Sequence, residues 1–154
     1  MWNLRGIDPE PFDSLFELSD EELSARGIVR ETATSSIGFP DRVSMSDADI
    51  GDELLLVHYD HHVTRSPYRG GGAVYVKRGA VRSVLPAREI PLYVSRRPMS
   101  VRAYDRHGMM VEGIFCDGVD AKVHLDSLFA RETIEYVHLH NARRGCFFTE
   151  ARRL

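Results

Sequence analysis

A hairpin signal between residues 99 and 116 limits the folds open to this chain more than any other segment does. Two strand-like runs, MSVRAY and MMVEGIFC, flank the tetrapeptide DRHG at positions 105–108. Aspartate favours the first position of a tight turn, and glycine readily adopts the left-handed backbone that such a turn needs. The sequence therefore predicts two antiparallel strands here, and a protein built around a sheet.

Seven further segments carry the β-branched and apolar residues that favour strands. In chain order they are GIVRETAT, DRVSMSD, ELLLVHY, AVYVKR, EIPLYVS, TIEYVHLH and CFFTEA. Pro91 shortens EIPLYVS and suits the edge of a sheet. The stretch DHHVTRSPYRGGG precedes AVYVKR and predicts a long loop that lies over a surface or a pocket.

Helices are predicted at the start of the chain and again near its end. The run DPEPFDSLFELSDEELSARG begins with prolines that suit a first helical turn, and its apolar residues have helical spacing. Ser19 then caps a second short helix, with Glu22 three residues later, and Gly27 ends that helix. A later helix begins at Asp117 or Asp120 and ends near position 131.

Early helices, many strands and one late helix together indicate an α+β fold. We expect short N-terminal helices, a strongly bent, mainly antiparallel sheet or small open barrel, and one late helix packed on it. No repeat, low-complexity tract or linker divides the chain, so residues 1–154 are predicted to form a single domain. A chain of this length can bury a substantial core.

Charge and cysteine content narrow the partners and the compartment. The formal net charge is −3, and no run of lysine or arginine exceeds two residues. We expect no nucleic-acid binding, because that function normally needs clustered positive charge. The sequence shows no apolar stretch long enough to cross a membrane and no signal-peptide pattern. With only Cys116 and Cys146, a disulfide scaffold is excluded, and a cytoplasmic protein without membrane contact is expected.

The segment YVHLHNARRGCF, residues 136–147, concentrates side chains that can do chemistry. Alternate residues of a strand point to the same side, so His138 and His140 share one face while Val137 and Leu139 share the other. We expect the apolar pair to face the core. Both imidazoles then lie on the opposite surface, or line the interior of a curled sheet.

This segment, together with SPYRGGGAVYV, SVRAYDRHGMMV and FPDRVSMSDADIGDELLLVHYDHH, resembles a bacterial family known as domain of unknown function 1203. The resemblance runs from about Ile7 to Phe147 and implies no particular activity. The sequence departs from the family pattern at Asp41, where many members carry a cysteine, and at Arg144, where a proline is usual. The first departure argues against a site that needs two cysteines. Matching positions are Arg42, Asp47, Gly51, His61, Pro67, Tyr68, Arg69, Gly72, Arg102, Tyr104, Asp105, Gly108, His138, His140, Asn141, Arg143, Gly145 and Cys146.

A metal site is one hypothesis for this segment. Two histidines on one strand face, joined by a histidine from the long loop, give a workable ligand geometry, and neutral imidazole and thiolate suit zinc as the cofactor. The alternative is a pair of hydrogen-bonded histidines on a half-exposed strand, since the spacing matches no established metal-binding signature. The candidate ligands are His138, His140, His61 or His58, and Cys146 or Asp41 as a fourth.

A second hypothesis is nucleophilic catalysis by Cys146. His140 would activate the thiol, and Asn141 would orient the imidazole or stabilise an oxyanion. Arg143 and Arg144 place positive charge beside the cysteine, which favours its thiolate. The alternative is a small buried cysteine of the core, which is the commoner role of this residue.

A third hypothesis is a pocket for a small anionic ligand. Arginine binds carboxylate or phosphate in a bidentate fashion, and tyrosine hydroxyls and glycine amides complete such sites. The run YRGGG lacks the lysine and the serine or threonine of a phosphate-binding P-loop. The alternative is that these arginines are solvated or paired with acidic residues. The predicted ligand-binding residues are His61, Tyr68, Arg69, Arg102, Tyr104 and Arg143.

Recognition of a small anionic ligand is the function that these patterns favour most. A metal-dependent or Cys–His enzyme that uses residues 138–146 is the first alternative, and a non-catalytic protein interaction module is the second. A pocket predicts that Arg69, Arg102, His140 and Cys146 converge in one cavity. An interaction module predicts that the same side chains are scattered, so the sequence leaves enzymatic activity open.

Overall fold

The chain forms ten strands and four short helices in the computed structural model, which describes residues 1–154. The strands are β1 (Trp2–Arg5), β2 (Val29–Thr32), β3 (Pro40–Asp41), β4 (Ser46–Asp47), β5 (Glu53–His62), β6 (Gly70–Lys77), β7 (Pro98–Tyr104), β8 (Met110–Asp117), β9 (Tyr136–Asn141) and β10 (Phe147–Arg153). The helices are α1 (Glu10–Asp13), α2 (Asp20–Ser24), α3 (Leu92–Ser95) and α4 (Ala121–Phe129), with 3-10 turns at Ser14–Glu17 and Gly118–Asp120. No helix combines the length and hydrophobicity needed to cross a membrane.

The strands are divided between two five-stranded sheets. Sheet A has the order β1-β10-β9-β7-β8 and is antiparallel throughout. Sheet B has the order β2-β5-β6-β3-β4, and its only parallel pair joins the two-residue strand β3 to β6. The α+β prediction with mainly antiparallel strands is confirmed. The strands form two sheets rather than one bent sheet, and neither closes into a barrel.

The predicted hairpin is confirmed as β7 and β8. The two strands pair from Pro98 opposite Asp117 to Tyr104 opposite Met110. In the turn, the carboxylate of Asp105 accepts hydrogen bonds from the following backbone amides, and Gly108 has a φ of 73°. The aspartate and the glycine therefore have the roles that the sequence predicted for them.

The late helix α4 covers one face of sheet A. Val137 and Leu139 of β9 are fully buried, and they belong to the same hydrophobic core as Leu125 and Leu128 of the helix. Burial of one such side chain stabilises the fold by about 1.5–3 kcal/mol. This packing confirms the prediction that the apolar pair of β9 faces the core, and it leaves the other face of β9 to the histidines.

The N-terminal capping prediction is also confirmed. The hydroxyl of Ser19 accepts from the amide of Glu22, and the carboxylate of Glu22 accepts from the amide of Ser19. Gly27, with a φ of 70°, follows the short helix α2. These local signals depend only on neighbouring residues, which is why they can be identified without the fold.

The EIPLYVS strand prediction was wrong, because this segment contains helix α3. Pro91 is the residue before the first turn, where its missing amide hydrogen costs no helical hydrogen bond. Tyr93 and Val94 then turn into the core of sheet A. Pro91 therefore marks the start of a helix rather than the edge of a sheet.

Three other boundaries differ from the predictions. Within DRVSMSD, residues 42–45 form a turn between the two-residue strands β3 and β4, and Met45 in this turn has a φ of 54°. The long loop is shorter than predicted, because β5 continues to His62 and β6 begins at Gly70. Strand β1 was not predicted at all. It pairs with β10, and the indole of Trp2 is buried and donates a hydrogen bond of 2.9 Å to Asp126.

Candidate metal centre

Three histidines from the two sheets meet in one place. His138 and His140 come from β9 of sheet A, and His61 comes from β5 of sheet B. One ring nitrogen of each imidazole lies within 4.8 Å of the other two. His138 and His140 are each 1% exposed, and His61 is partly buried. The cluster therefore lies largely out of solvent.

Strand alternation places two of the three histidines. Val137 and Leu139 face helix α4, so His138 and His140 face the opposite side of sheet A. Pairing in the sheet then fixes the neighbours of both imidazoles. Arg102 of β7 and Glu150 of β10 lie directly opposite His138, and Phe147 of β10 lies opposite His140.

A β-bulge places His61. Strand β5 advances by three residues, from Tyr59 to His62, while β6 advances by only two, from Gly72 to Gly70. A bulge of this kind bends the strand and redirects side chains. Two adjacent residues, His61 and His62, both point into the interior here, which a regular strand does not allow.

The glycines of β6 leave room for this bulge. A side chain at Gly71 would lie 2.7 Å from the ring of His58 and 2.9 Å from the carbonyl oxygen of Tyr59. A side chain at Gly70 would lie 3.6 Å from the imidazole of His61. Within the glycine-rich run that the sequence suggested as a ligand-binding loop, Gly71 therefore makes room for strand β5, and Gly70 packs in ordinary contact with His61.

Phe147 packs against all three imidazoles. Its ring stacks on His61, with centroids 5.3 Å apart and an angle of 3° between the planes. The same ring meets His138 and His140 edge-on, at 5.2 and 5.7 Å. Phe147 was not among the predicted site residues, and the only signal for it in the sequence was its position at the end of the segment YVHLHNARRGCF.

Hydrogen bonds determine which ring nitrogens stay free. Nδ1 of His140 donates to the carbonyl oxygen of Gly145 at 2.9 Å, which leaves Nε2 as the unprotonated nitrogen. Nε2 of His138 lies 3.5 Å from a carboxylate oxygen of Glu150, which leaves Nδ1. These two nitrogens and Nδ1 of His61 are buried without a hydrogen-bond partner. Buried polar atoms are normally paired, so three unpaired nitrogens in one cluster make these rings candidate ligands.

The environment keeps the three imidazoles neutral. Burial, with smaller contributions from His138, His62 and Arg102, lowers the pKa of His61 to about 4. Burial lowers the pKa of His140 to about 3, against the opposing effect of its hydrogen bond to Gly145. The pKa of His138 is also lowered by burial, although Glu150 opposes the shift. Neutral imidazole is the form that binds metal ions, so none of the three rings would have to lose a proton to bind one at neutral pH.

Glu150 supports the cluster from the neighbouring strand. Burial alone would raise the pKa of this carboxyl, but its contacts with His138 and Arg152 lower it to about 2. Arg152 holds both carboxylate oxygens, at 2.6 and 3.0 Å. An ionised carboxylate beside Nε2 of His138 favours the tautomer that exposes Nδ1, as carboxylates do behind many metal-bound histidines.

Arg102 and Tyr104 lie beside the cluster on the same face of sheet A. The Nε atom of Arg102 donates to the hydroxyl of Ser100 at 3.2 Å, and the side chain forms no ion pair with any carboxylate. The ring of Tyr104 lies 5.0 Å from that of His138. Burial raises the pKa of Tyr104, with Arg102 opposing the shift, so its hydroxyl stays protonated at neutral pH.

His62 is a buried neighbour of the cluster that the sequence prediction missed. Its two ring nitrogens are hydrogen-bonded to the hydroxyl of Tyr136 at 2.7 Å and to the carbonyl oxygen of Tyr68 at 2.8 Å. The ring packs 4.2 Å from Tyr104. With both nitrogens occupied, His62 links the 63–69 loop to the site and has no free nitrogen for a metal ion.

Comparison with known families gives one match. The family described as a protein of unknown function (DUF1203) matches residues 38–153. The chain belongs to this family. The matched range includes the three histidines, Arg102 and Glu150. No curated protein and no solved structure matches the chain.

Of the predicted residues of this DUF1203 protein, the structure brings five together. His61, His138 and His140 form the cluster, and Arg102 and Tyr104 lie next to it. Tyr68 is 42% exposed and contributes its backbone carbonyl to His62. The two alternative metal ligands, His58 and Asp41, are not in the cluster. His58 is exposed beside Asp60, and the buried carboxylate of Asp41 accepts hydrogen bonds from backbone amides.

The residues of the nucleophile hypothesis do not form a catalytic arrangement. The sulfur of Cys146 accepts a hydrogen bond of 3.2 Å from Arg42 and not from His140. The side chain of Asn141 accepts from the backbone amide of Arg143 at 2.9 Å, which stabilises the turn between β9 and β10. The polar run after β9 therefore builds a turn, and its carbonyl at Gly145 holds His140.

Two arginines of the anion hypothesis, Arg69 and Arg143, form no hydrogen bond with the cluster. Arg69 is exposed, and its side chain makes no hydrogen bond or ion pair. Arg143 lines a surface cavity of about 600 Å³ together with Arg96 and Arg97. A second cavity of about 610 Å³ lies around residues 105–107 and 131–135. Neither of these two cavities is lined by the three histidines.

Proposed function

We propose that this protein binds a divalent transition metal ion through His61, His138 and His140. The observation that carries the proposal is the set of three buried ring nitrogens without hydrogen-bond partners, one from each residue of the cluster. Three neutral imidazoles suit zinc, and catalytic zinc sites typically use three protein ligands and leave a further position for water or substrate. The proposed ion is therefore zinc, in a centre that can do chemistry.

Binding requires the cluster to close slightly. Zinc–nitrogen bonds of about 2.0–2.1 Å place tetrahedrally arranged nitrogens roughly 3.4 Å apart, compared with up to 4.8 Å between the ring nitrogens here. His140 is held by Gly145, and His138 is held near Glu150. His61 is only partly buried and lies in the bulge, so it is the ligand that moves.

The proposed centre supports Lewis-acid chemistry on a small ligand. A zinc ion with three histidine ligands lowers the pKa of a bound water to about 7, or polarises an oxygen of a bound substrate. Under this proposal, His140 is a metal ligand rather than the base of a Cys–His pair. The protein is then a metal-dependent enzyme, which is the first alternative to anion recognition that the sequence offered.

Recognition of a small anionic ligand without a metal is the second candidate function. The unpaired positive charge of Arg102 beside Tyr104 favours it. The free nitrogens of His138 and His140 count against it, because the partners of the other ring nitrogens leave these two with lone pairs that repel an anion rather than donate to it. The structure therefore supports the metal proposal better, although the sequence favoured the anion pocket.

Zinc titration of chelator-treated protein tests the proposal. We expect one tight site in the unsubstituted protein, and its loss in His138→Ala and His140→Ala. His58→Ala is the matched control, since His58 lies three residues before His61 on the same strand and is exposed. Equal zinc affinity in all four proteins would contradict the proposal.

A further inference from the structure

Arg102 is a free cation at the edge of the proposed centre. It lies directly opposite His138 in sheet A, and its charge contributes to the lowered pKa values of both His61 and His140. Other arginines of this chain, such as Arg88 and Arg152, are held by carboxylates. No carboxylate holds the guanidinium of Arg102, and its side-chain partners are the neutral hydroxyls of Ser100 and Tyr104, so its charge is available to a ligand.

The residue that pairs with Arg102 on the side away from His138 leaves the guanidinium accessible. On its other side, Arg102 pairs with Gly113 of the edge strand β8. A side chain at Gly113 would contact only the sulfur of Met110, at 3.9 Å. No side chain at this position therefore separates Arg102 from a ligand that approaches from the β8 edge.

The charge of the loaded centre requires an anion. A divalent ion bound by three neutral imidazoles keeps both of its charges, and Arg102 adds a third. Glu150, the carboxylate beside His138, is already held by Arg152. Three positive charges in a largely buried site favour an anionic ligand, and arginine is well suited to bind carboxylate or phosphate.

We propose, as an extension of the metal centre above, that its ligand is a small oxyanion that bridges the metal ion and Arg102. One oxygen takes the open metal position, and another accepts hydrogen bonds from the guanidinium. Tyr104, whose hydroxyl is protonated, offers a further donor beside Arg102. Carboxylates and inorganic phosphate share this chemistry.

Cobalt-substituted protein provides the test, because the visible spectrum of bound Co²⁺ responds to its ligands. Acetate and inorganic phosphate are titrated separately into the cobalt form of the unsubstituted protein, Arg102→Gln and the control Arg69→Gln. We expect a saturable spectral change in the unsubstituted protein and in Arg69→Gln. In Arg102→Gln the cobalt spectrum should persist, with anion affinity weaker by about tenfold or more. If Arg102→Gln does not fold, Arg102→Lys keeps the charge, loses the bidentate geometry and should also bind more weakly.

The outcomes separate the two proposals. If the unsubstituted protein does not bind Co²⁺, both the metal centre and this inference are overturned. If cobalt binds but the anions cause no spectral change, or change it equally in Arg102→Gln, only the oxyanion inference is overturned. A stronger response to acetate would assign a carboxylate as the natural ligand class, and a stronger response to phosphate would assign a phosphoryl group.

Discussion

At the residue scale, the chemistry of the site depends on one nitrogen of each histidine. A carbonyl holds Nδ1 of His140 and a carboxylate lies near Nε2 of His138, so the nitrogen that each leaves free differs between the two rings. Because the three rings are neutral, the cluster has ligand character without any loss of protons. The same burial that lowers the three pKa values makes the metal-free cluster sensitive to acid.

Acid should destabilise the metal-free protein well above the range in which its carboxyl groups titrate. The pKa values of His61 and His140 are about 4 and about 3 in the folded protein, compared with 6.5 for an ordinary histidine. Below pH 6.5 the unfolded chain therefore binds protons that the folded chain does not, and the free energy of unfolding decreases as the pH falls. Lowered carboxyl pKa values such as that of Glu150 add to this only below about 4.5.

Urea unfolding of chelator-treated protein at pH 7.5, 6.5, 5.5 and 4.5 measures this effect. We expect the free energy of unfolding to decline between pH 6.5 and 4.5, and to decline less steeply in His140→Asn. A flat profile over this range, or the same slope in the variant, would show that the buried histidines do not have the lowered pKa values described here.

The residue types of the site were predictable from the sequence, but not the exact set. Alternation along β9 was enough to place His138 and His140 on one face, and the turn chemistry of Asp105 and Gly108 was readable locally. The choice between His58 and His61 as the third histidine could not be made from the sequence, because it depends on a bulge formed with the partner strand. Register between strands is a long-range property that local patterns do not encode.

At the scale of elements, the bulge in β5 is the feature that completes the cluster. A regular strand would point His61 and His62 to opposite faces, whereas the bulge turns both inward. Its partner strand accommodates it because Gly71 of β6 has no side chain to collide with the carbonyl oxygen of Tyr59. The errors in the sequence prediction have a related origin. Two-residue strands such as β3, and the edge strand β1, exist because a partner pairs with them rather than through their own propensity.

Substitution of the β6 glycines tests the role of the bulge. An added side chain at Gly71 would lie 2.9 Å from the carbonyl oxygen of Tyr59, whereas one at Gly72 would have no atom within 4 Å. We expect Gly71→Ala to destabilise the protein by roughly 1–3 kcal/mol, as overpacking commonly does, and to weaken zinc binding. Gly72→Ala should change neither property. Equal behaviour of the two variants in thermal unfolding and zinc titration would argue against a role for the bulge.

At the scale of the whole molecule, the site exists only where the two sheets meet. Sheet A contributes two histidines, Arg102 and Glu150, and sheet B contributes His61 from more than seventy residues earlier in the chain. Phe147 packs against histidines of both sheets and also belongs to the core around β5 and β6. Hydrophobic packing between the sheets therefore sets the ligand geometry, which explains why the sequence suggested the ligands but could not establish that they converge.

The central claim is that this cluster holds a metal ion. Elemental analysis of protein purified without a histidine tag or chelator tests it most directly, with His138→Ala prepared in parallel. The account predicts about one equivalent of zinc or another divalent transition metal per chain in the unsubstituted protein, and a strongly reduced content in the variant. Substoichiometric metal in both proteins, even after incubation with zinc and removal of the excess, would contradict the account.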